Sequence, residues 1–147
     1  MNLSIYNWDL LSKHFSNFSL SSKDLTKILQ KQFSEYNLFQ VGIVCVESEY
    51  MQRLNREYRG KDYVTDVLSF NLDTEPLMGE VYICPEYIFS NTKQELFQEE
   101  VIRDIVHGLL HIAGYDHKEK LTKESIDKEE MFILQEKILK EVMKLLN

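Results

Sequence analysis

Three of the chain's four histidines lie in one short stretch, HGLLHIAGYDH, at positions 107–117. His107 and His111 are four residues apart, so on an α-helix they project from the same face, one turn apart. Gly114 is well placed to end that helix, and the chain can then turn back to present His117 from the opposite side. Three neutral imidazoles with one open position are typical of catalytic zinc sites, whereas structural zinc sites usually have four protein ligands. The spacing therefore predicts one zinc ion held by these three histidines.

The residue after the first histidine is Gly108, and it bears on the kind of zinc chemistry. Metzincin peptidases share the histidine spacing, but they carry a glutamate at this position that takes a proton from the zinc-bound water. Peptide hydrolysis depends on such a base because the amine leaving group also needs a proton. A phosphodiester depends on it less, since zinc can lower the pKa of a bound water to about 7 and polarise a phosphoryl oxygen. Gly108 therefore makes a metallopeptidase the weaker alternative.

Phosphodiester chemistry also needs positive charge beside the phosphate, and one basic segment can supply it. Four cations fall within nine residues: Arg53, Arg56, Arg59 and Lys61. A guanidinium offers a phosphate two aligned donors. The net charge of −7 argues against a protein that coats nucleic acid by bulk attraction, but not against an enzyme with a local basic patch. On charge pattern alone, a solvated helix face explains the segment equally well.

Hydrophobic periodicity indicates which elements position these residues. Strands are predicted at 2–7, 41–47, 66–72 and 80–84. Helices are predicted at about 22–36, 48–58, 94–113 and 125–146. The second and third strands are predicted to be buried, and the third and fourth to pair as a hairpin. In the second helix, Tyr58 is expected to face inward with Met51 and Leu54, and Gly60 to end the helix.

These elements predict an α+β fold, a small mixed four-stranded sheet packed with helices, in which one helix bears the zincin-like three-histidine motif. The 147 residues are expected to form a single domain, residues 1–147. The N-terminal residues lack a signal-peptide pattern, and no stretch approaches the roughly 20 apolar residues that cross a bilayer. A soluble cytoplasmic protein with no membrane partner is therefore expected. Cys45 and Cys84 form no CxxC and are predicted to be buried, reduced thiols.

Together the motifs resemble those of one protein family. HGLLHIAGYDH is accompanied by TDVLSF at 65–70, LNREYRGKD at 54–62 and GEVYIC at 79–84. In order and spacing these segments are similar to the YbeY family, bacterial metal-dependent endoribonucleases in ribosomal RNA maturation. The resemblance spans about residues 41–140 and implies a small α+β domain with a metal-bearing helix. It implies one zinc ion per chain on His107, His111 and His117, and a functional Arg59 that contacts the RNA phosphate or stabilises charge building on it.

Further roles follow from the same resemblance, several of them with a simpler structural alternative. Thr65 and Asp66 belong to the family signature and either support the histidines or brace a loop beside the cleft. Asp116 either orients a histidine or is a turn residue. Val64 and Asn71 stand where family members often have proline, so the local loop shape is expected to differ. Three further cations are expected to follow the RNA backbone: Arg53, Arg56 and Lys61.

The resemblance predicts a zinc-dependent, single-strand-specific endoribonuclease in ribosomal RNA processing, at the 3′ end of the 16S RNA, and in ribosome quality control. The expected partners are ribosomal RNA and the small ribosomal subunit, with an assembly GTPase left open as a further partner. The alternative is a ribosome-assembly or interaction factor whose zinc is mainly structural. The acidic net charge and the absence of an evident general base favour that alternative.

Overall fold

The structure is a computed structural model that describes residues 1–15, 18–115 and 121–146. Within these residues four strands form one sheet: β1 (Asn2–Tyr6), β2 (Leu38–Cys45), β3 (Val67–Thr74) and β4 (Leu77–Ile83). Their order across the sheet is β1-β2-β4-β3. β2 pairs in parallel with β1 and β4, while β3 and β4 form an antiparallel hairpin. The predicted mixed four-stranded sheet and its hairpin are confirmed.

β3 lies at the edge of this sheet, so the prediction of a buried strand at 66–72 is wrong. β3 pairs with β4 on one side, and the side chains from Asn71 to Thr74 are exposed. Leu72, for example, is 59% exposed. An apolar run of this length fits an edge strand as well as a buried one, because periodicity does not reveal how many neighbours a strand has.

Six α-helices accompany the sheet in the described part of the chain. They are α1 (Asp9–His14), α2 (Ser22–Gln32), α3 (Ser48–Arg59), α4 (Pro85–Ser90), α5 (Phe97–Ile112) and α6 (Leu121–Leu146). α2 starts after Ser21, whose side chain accepts a hydrogen bond from the backbone N–H of Asp24. α2 ends at Gln32 rather than near residue 36, and α5 starts after a 3-10 turn at Gln94–Leu96. The short helix α1 was not indicated by periodicity.

α3 ends where the sequence predicts, but one of its side chains is exposed instead of buried. Gly60 follows with a left-handed φ of 69°, which a residue with a side chain rarely adopts. Met51 and Leu54 are buried as expected, but Tyr58 is 66% exposed, so the prediction of an inward tyrosine is wrong. Its ring lies 5.2 Å from the ring of Phe70 on β3, centre to centre. Because β3 is the last strand of the described sheet, no strand lies beyond it to cover the tyrosine.

Helices cover both faces of the sheet. The larger core lies between one face and α2, α5 and α6, and a smaller cluster joins α3 to the other face. α5 contributes heavily to the larger core, where Ile105, Val106, Leu109 and Leu110 are fully buried. Burying such side chains contributes roughly 1.5–3 kcal/mol each. α5 is thereby held against β3, β4 and α6.

Two glycines let α5 approach the sheet closely. A Cβ atom at Gly108 would lie 2.5 Å from Cγ1 of Val81 on β4, too close for ordinary packing. A Cβ atom at Gly79 on β4 would lie 2.4 Å from Cδ1 of Ile112, at the end of α5. Helix and strand therefore fit together at these two points because both positions lack a side chain.

The two cysteines are buried free thiols, as predicted. Burial raises the pKa of the Cys45 thiol to about 12. A thiol so far from ionisation is a poor nucleophile and a poor metal ligand. Among the described residues, no helix is long and apolar enough to cross a bilayer.

Candidate metal centre

From Glu100 onwards, the polar side chains of α5 lie along one stripe of the helix. They recur every three or four residues, which places them on one face, and they are partly exposed: Glu100, Arg103, Asp104, His107 and His111. The stripe is flanked by β3 on one side and α6 on the other, and both contact α5. The candidate metal centre lies near its C-terminal end.

His107 and His111 meet there through their outer ring nitrogens. The two Nε2 atoms are 2.9 Å apart, and the ring planes cross at 74°. The predicted convergence of these two histidines on one helix face is therefore seen in the structure. Both histidines are partly exposed.

The inner nitrogen of His107 is held by a residue that the sequence did not single out. Gln135 of α6 is 7% exposed, and its Oε1 lies 2.7 Å from His107 Nδ1. An amide oxygen can only accept a hydrogen bond, so this contact favours the tautomer of His107 that carries its proton on Nδ1. The sequence held one signal for it: Gln135 follows Met131 by four positions, so the two lie on the same face of a helix. In the structure Met131 is buried, and so is that face.

The geometry of the pair fits a zinc ion. Two nitrogens that bind one zinc at roughly 2.0–2.1 Å in a tetrahedron lie about 3.3 Å apart. The two Nε2 atoms, at a hydrogen-bond distance of 2.9 Å, would have to separate slightly to bind one ion, and imidazole nitrogen suits zinc. Among the described residues, no three His, Cys, Asp or Glu side chains form a group that could hold a metal. The predicted third ligand, His117, and the predicted orienting residue, Asp116, lie outside the described residues and stay predictions.

Gly108 faces the sheet and not the stripe of polar residues. Its missing Cβ is directed at Val81 of β4, which lies in the larger core. A glutamate at this position would have to be buried against β4, where an unpaired carboxylate is costly. The glycine is therefore required by the packing of α5 on the sheet, in addition to what it implies about a catalytic base.

A group of ion pairs lies on the same stripe, one turn before His107. Arg103 donates from Nε to Oε2 of Glu136 at 2.9 Å and from Nη2 to Oε1 at 3.1 Å. It also pairs with Glu100 and, at 3.7 Å, with Glu99. The guanidinium holds the pKa of Glu136 below its usual value. These contacts join α5 to α6 beside the histidines.

Two carboxyl groups meet on the other side of the stripe. Asp104 of α5 hydrogen-bonds to Asp66, and burial together with that neighbouring carboxylate raises the pKa of Asp104 to about 9. Oδ1 of Asp66 accepts from Thr65 Oγ1 at 3.2 Å and from the Val67 N–H at 2.9 Å. Asp66 thus connects the start of β3 with α5, while Thr65 bonds to Asp66, and both of their predicted roles stay predictions. A direct bond from either to a histidine stays a prediction.

The four predicted cations are all exposed on or just after α3: Arg53, Arg56, Arg59 and Lys61. The Arg53 guanidinium lies 5.0 Å from the centre of the Tyr50 ring. Arg56 pairs with Asp62 at 3.3 Å, an exposed pair that contributes about 0–1 kcal/mol. Arg59 is the last residue of α3. Such exposure fits both the RNA-contact interpretation and the solvated-face interpretation.

Adjacent residues of β3 connect the end of α3 with the end of α5. Phe70 contacts Tyr58, the neighbour of Arg59, and Asn71 donates from Nδ2 to the Ile112 carbonyl at 3.1 Å. The last carbonyls of a helix have no partner within the helix, and Asn71 satisfies one of them. A proline at this position would lack the amide donor. The arginine-bearing end of α3 and the histidine-bearing end of α5 therefore both attach to one edge strand.

Comparison with known proteins bears on the same segments. The family model described as "Endoribonuclease YbeY" matches residues 10–143. An endoribonuclease YbeY from Thermotoga neapolitana is 40% identical over 119 residues, which cover 78% of this chain and 76% of the relative. One from Ureaplasma parvum is 36% identical over 144 residues, which cover 94% and 85%. A solution structure of a Thermotoga maritima protein matches with a TM-score of 0.65 and 29% identity, covering 95% of this chain and 88% of that one.

The family match extends from α1 to α6 and so includes every segment that carries a candidate site residue. The curated relatives agree with it over most of their own length. This chain therefore belongs to the YbeY endoribonuclease family.

Proposed function

We propose that this protein is a zinc-dependent endoribonuclease that cleaves single-stranded RNA. We place its action in the cytoplasm, in ribosomal RNA processing at the 3′ end of the 16S RNA and in ribosome quality control. The observation that carries the proposal is the convergence of two imidazole nitrogens on α5, with His107 held by Gln135, in a chain of this family.

The residues divide into those that would hold the metal and those that would meet the RNA. His107 and His111 would hold zinc through Nε2, with His117 as the third ligand. When bound, zinc supplies the Lewis-acid chemistry that phosphodiester cleavage uses. Arg59 would neutralise charge on the phosphate with two aligned donors. Three other cations would follow the RNA backbone: Arg53, Arg56 and Lys61. The exposed ion pair of Arg56 with Asp62 is weak enough to be exchanged for a contact with a phosphate.

One other function has a specific observation in its favour. A ribosome-assembly factor with a mainly structural zinc is consistent with the net charge of −7 and with the absence of an evident general base. In either case the proposed partners are ribosomal RNA and the small ribosomal subunit, and an assembly GTPase is a further candidate. A metallopeptidase has less support, since a base at position 108 would face Val81 instead of the histidines.

The test is a cleavage assay on protein of measured zinc content. Substrates are a single-stranded RNA that spans the 3′ end of a 16S precursor, the same sequence as a duplex, and a peptide. His111→Ala and Arg59→Glu are compared with Lys27→Glu, an exposed charge reversal on α2. We expect zinc-dependent cleavage of the single strand, lowered at least about 100-fold by each of the first two substitutions and unchanged by the third.

Other outcomes would point elsewhere. Cleavage that survives both chelation and His111→Ala would contradict the proposal and indicate a contaminating nuclease. Binding to the small subunit without cleavage would favour the assembly factor. Peptide cleavage lost with His111→Ala would establish the metallopeptidase.

A further inference from the structure

We propose that Arg103 and Glu136 are positioning residues that act through the side-chain amide of Gln135. Together the three hold His107 in the tautomer that is protonated on Nδ1, so that its Nε2 is available to a metal. The inference rests on the proposed function only for the use made of that nitrogen, because the tautomer itself is a property of the metal-free protein.

The first step is the ionised carboxylate of Glu136. Arg103 engages both of its oxygens, at 2.9 Å and 3.1 Å, in the two-pronged geometry that guanidinium and carboxylate groups favour. The arginine lowers the pKa of Glu136, which keeps the carboxylate charged. A charged carboxylate has no proton to donate, so any third group that hydrogen-bonds to it must be a donor.

The second step is the orientation of the Gln135 amide. Its Nε2 lies 3.1 Å from Oε2 of Glu136, where only a donor is accepted. A flipped amide would place its carbonyl oxygen against the carboxylate, so the flipped form is excluded by charge as well as by hydrogen bonding. Glu136 therefore fixes which end of Gln135 faces α5, and that end is the acceptor Oε1.

The third step is the proton on His107. Gln135 Oε1 lies 2.7 Å from His107 Nδ1, and an acceptor there requires an N–H on the ring. A neutral imidazole with its proton on Nδ1 has its lone pair on Nε2, the atom that approaches His111 at 2.9 Å. In the metal-free protein Nε2 of His107 therefore has the lone pair on the side that faces His111.

A plain structural role for the same ion pair makes a different prediction. Arg103 and Glu136 join α5 to α6, so losing the pair would lower stability whatever the state of His107. The positioning role adds a consequence that packing alone lacks, a change in the tautomer of one histidine. The tautomer and the zinc affinity are therefore the readouts that distinguish the two roles.

The experiment compares Glu136→Gln with Glu141→Gln, the same change at an exposed position of α6. A glutamine at 136 can accept or donate, so the amide of Gln135 can turn either way. Long-range proton–nitrogen NMR of the full chain, metal-free and at about pH 8, where imidazoles are neutral, reports the tautomer of each histidine. Single histidine substitutions assign the signals. Competition with a chelating dye gives the dissociation constant for zinc.

We expect wild-type His107 to be protonated on Nδ1 and to shift towards the Nε2-protonated form in Glu136→Gln. The zinc dissociation constant should rise about 10-fold in that variant, at the lower end of the effects of residues that support metal ligands. Glu141→Gln should change neither. Wild-type His107 protonated on Nε2 would overturn the proposal, as would a Glu136→Gln variant with lowered stability but unchanged tautomer and zinc affinity. The Nδ1 tautomer in a wild-type protein that binds no zinc would support the positioning role while contradicting the proposed function.

Discussion

The two helices beside the edge strand β3 carry their candidate groups in opposite ways. On α5, His107 is held between Gln135 and His111, and a bonded network that includes Arg103 continues along the helix. On α3, the arginines are exposed, and the pair that Arg56 forms with Asp62 is exposed as well. One helix carries fixed groups and the other carries groups that are free to adapt.

This difference matches what each set of groups would have to bind. A metal ion tolerates little misplacement, so its ligands are best placed on packed helices and oriented by neighbouring side chains. An RNA backbone varies in its path, and long cationic side chains at the surface can follow it. We therefore expect substitutions around α5 to change stability or metal affinity, and substitutions at the end of α3 to change neither by much.

The largest effect is expected at Asp104, through pH. Its pKa is raised from 3.8 to about 9, so between these values the folded chain keeps a proton that the unfolded chain releases. The stabilising contribution is complete below about pH 3.8 and falls as pH rises towards 9, by up to about 1.4 kcal/mol per pH unit. Asp104→Asn should remove this slope. Urea unfolding from pH 5 to pH 8 measures it.

Asp62→Asn provides the control for that prediction. Asp62 is a carboxylate on the α3 side, exposed to solvent and paired with Arg56. Its substitution should leave the pH dependence of unfolding as it is in the wild type. Equal slopes for the wild type and Asp104→Asn would mean that no proton is held between Asp66 and Asp104.

The next effect is expected at Gly108, where a methyl group would meet Val81. Gly108→Ala should lower the free energy of unfolding by about 1–3 kcal/mol, as overpacking of a filled core does. Gly42→Ala on β2 is the matched control, because its Cβ would make only ordinary contacts, 3.6 Å from Tyr6 and 3.9 Å from Glu80. Denaturant unfolding of both variants tests the close approach. Equal stability of the two variants would contradict the close contact between Gly108 of α5 and Val81 of β4.

Zinc affinity should respond to Gln135 but not to Arg59. Gln135→Met keeps the volume of the side chain and removes the acceptor for His107 Nδ1, so the zinc dissociation constant should rise about 10- to 100-fold. Arg59→Met, in the exposed last position of α3, should leave that constant within about twofold. Titration of the metal-free protein with zinc compares them. A larger loss from the arginine substitution would reverse the contrast between the two helices.

The smallest effect is expected for Tyr58→Ala. With two-thirds of the ring exposed, its removal should cost less than about 1 kcal/mol of unfolding free energy. A loss above about 3 kcal/mol, typical of a buried aromatic residue, would restore the inward tyrosine that periodicity predicts. Thermal or urea unfolding distinguishes the two results.

The sequence by itself determined the features that depend on local spacing. A spacing of four positions from His107 to His111 places both on one helix face, and Gly60 can end α3 because it adopts the left-handed conformation. Strand existence and the β3–β4 hairpin also follow from short-range pattern. The prediction of His117 as the third ligand also depends on local spacing, but His117 lies outside the described residues.

Only the tertiary structure decided which distant residues meet. Gln135 is separated from His107 by 28 positions, and Asp66 lies just before β3 whereas Asp104 lies on α5, so no periodicity connects either pair. Strand order was equally inaccessible, and with it the exposure of Tyr58 and of the second half of β3. Gly108 shows the physical reason most clearly. From the sequence alone, Gly108 indicates only that a catalytic base is missing. In the fold it is the position at which α5 contacts Val81. Packing depends on neighbours that come together only when the chain folds.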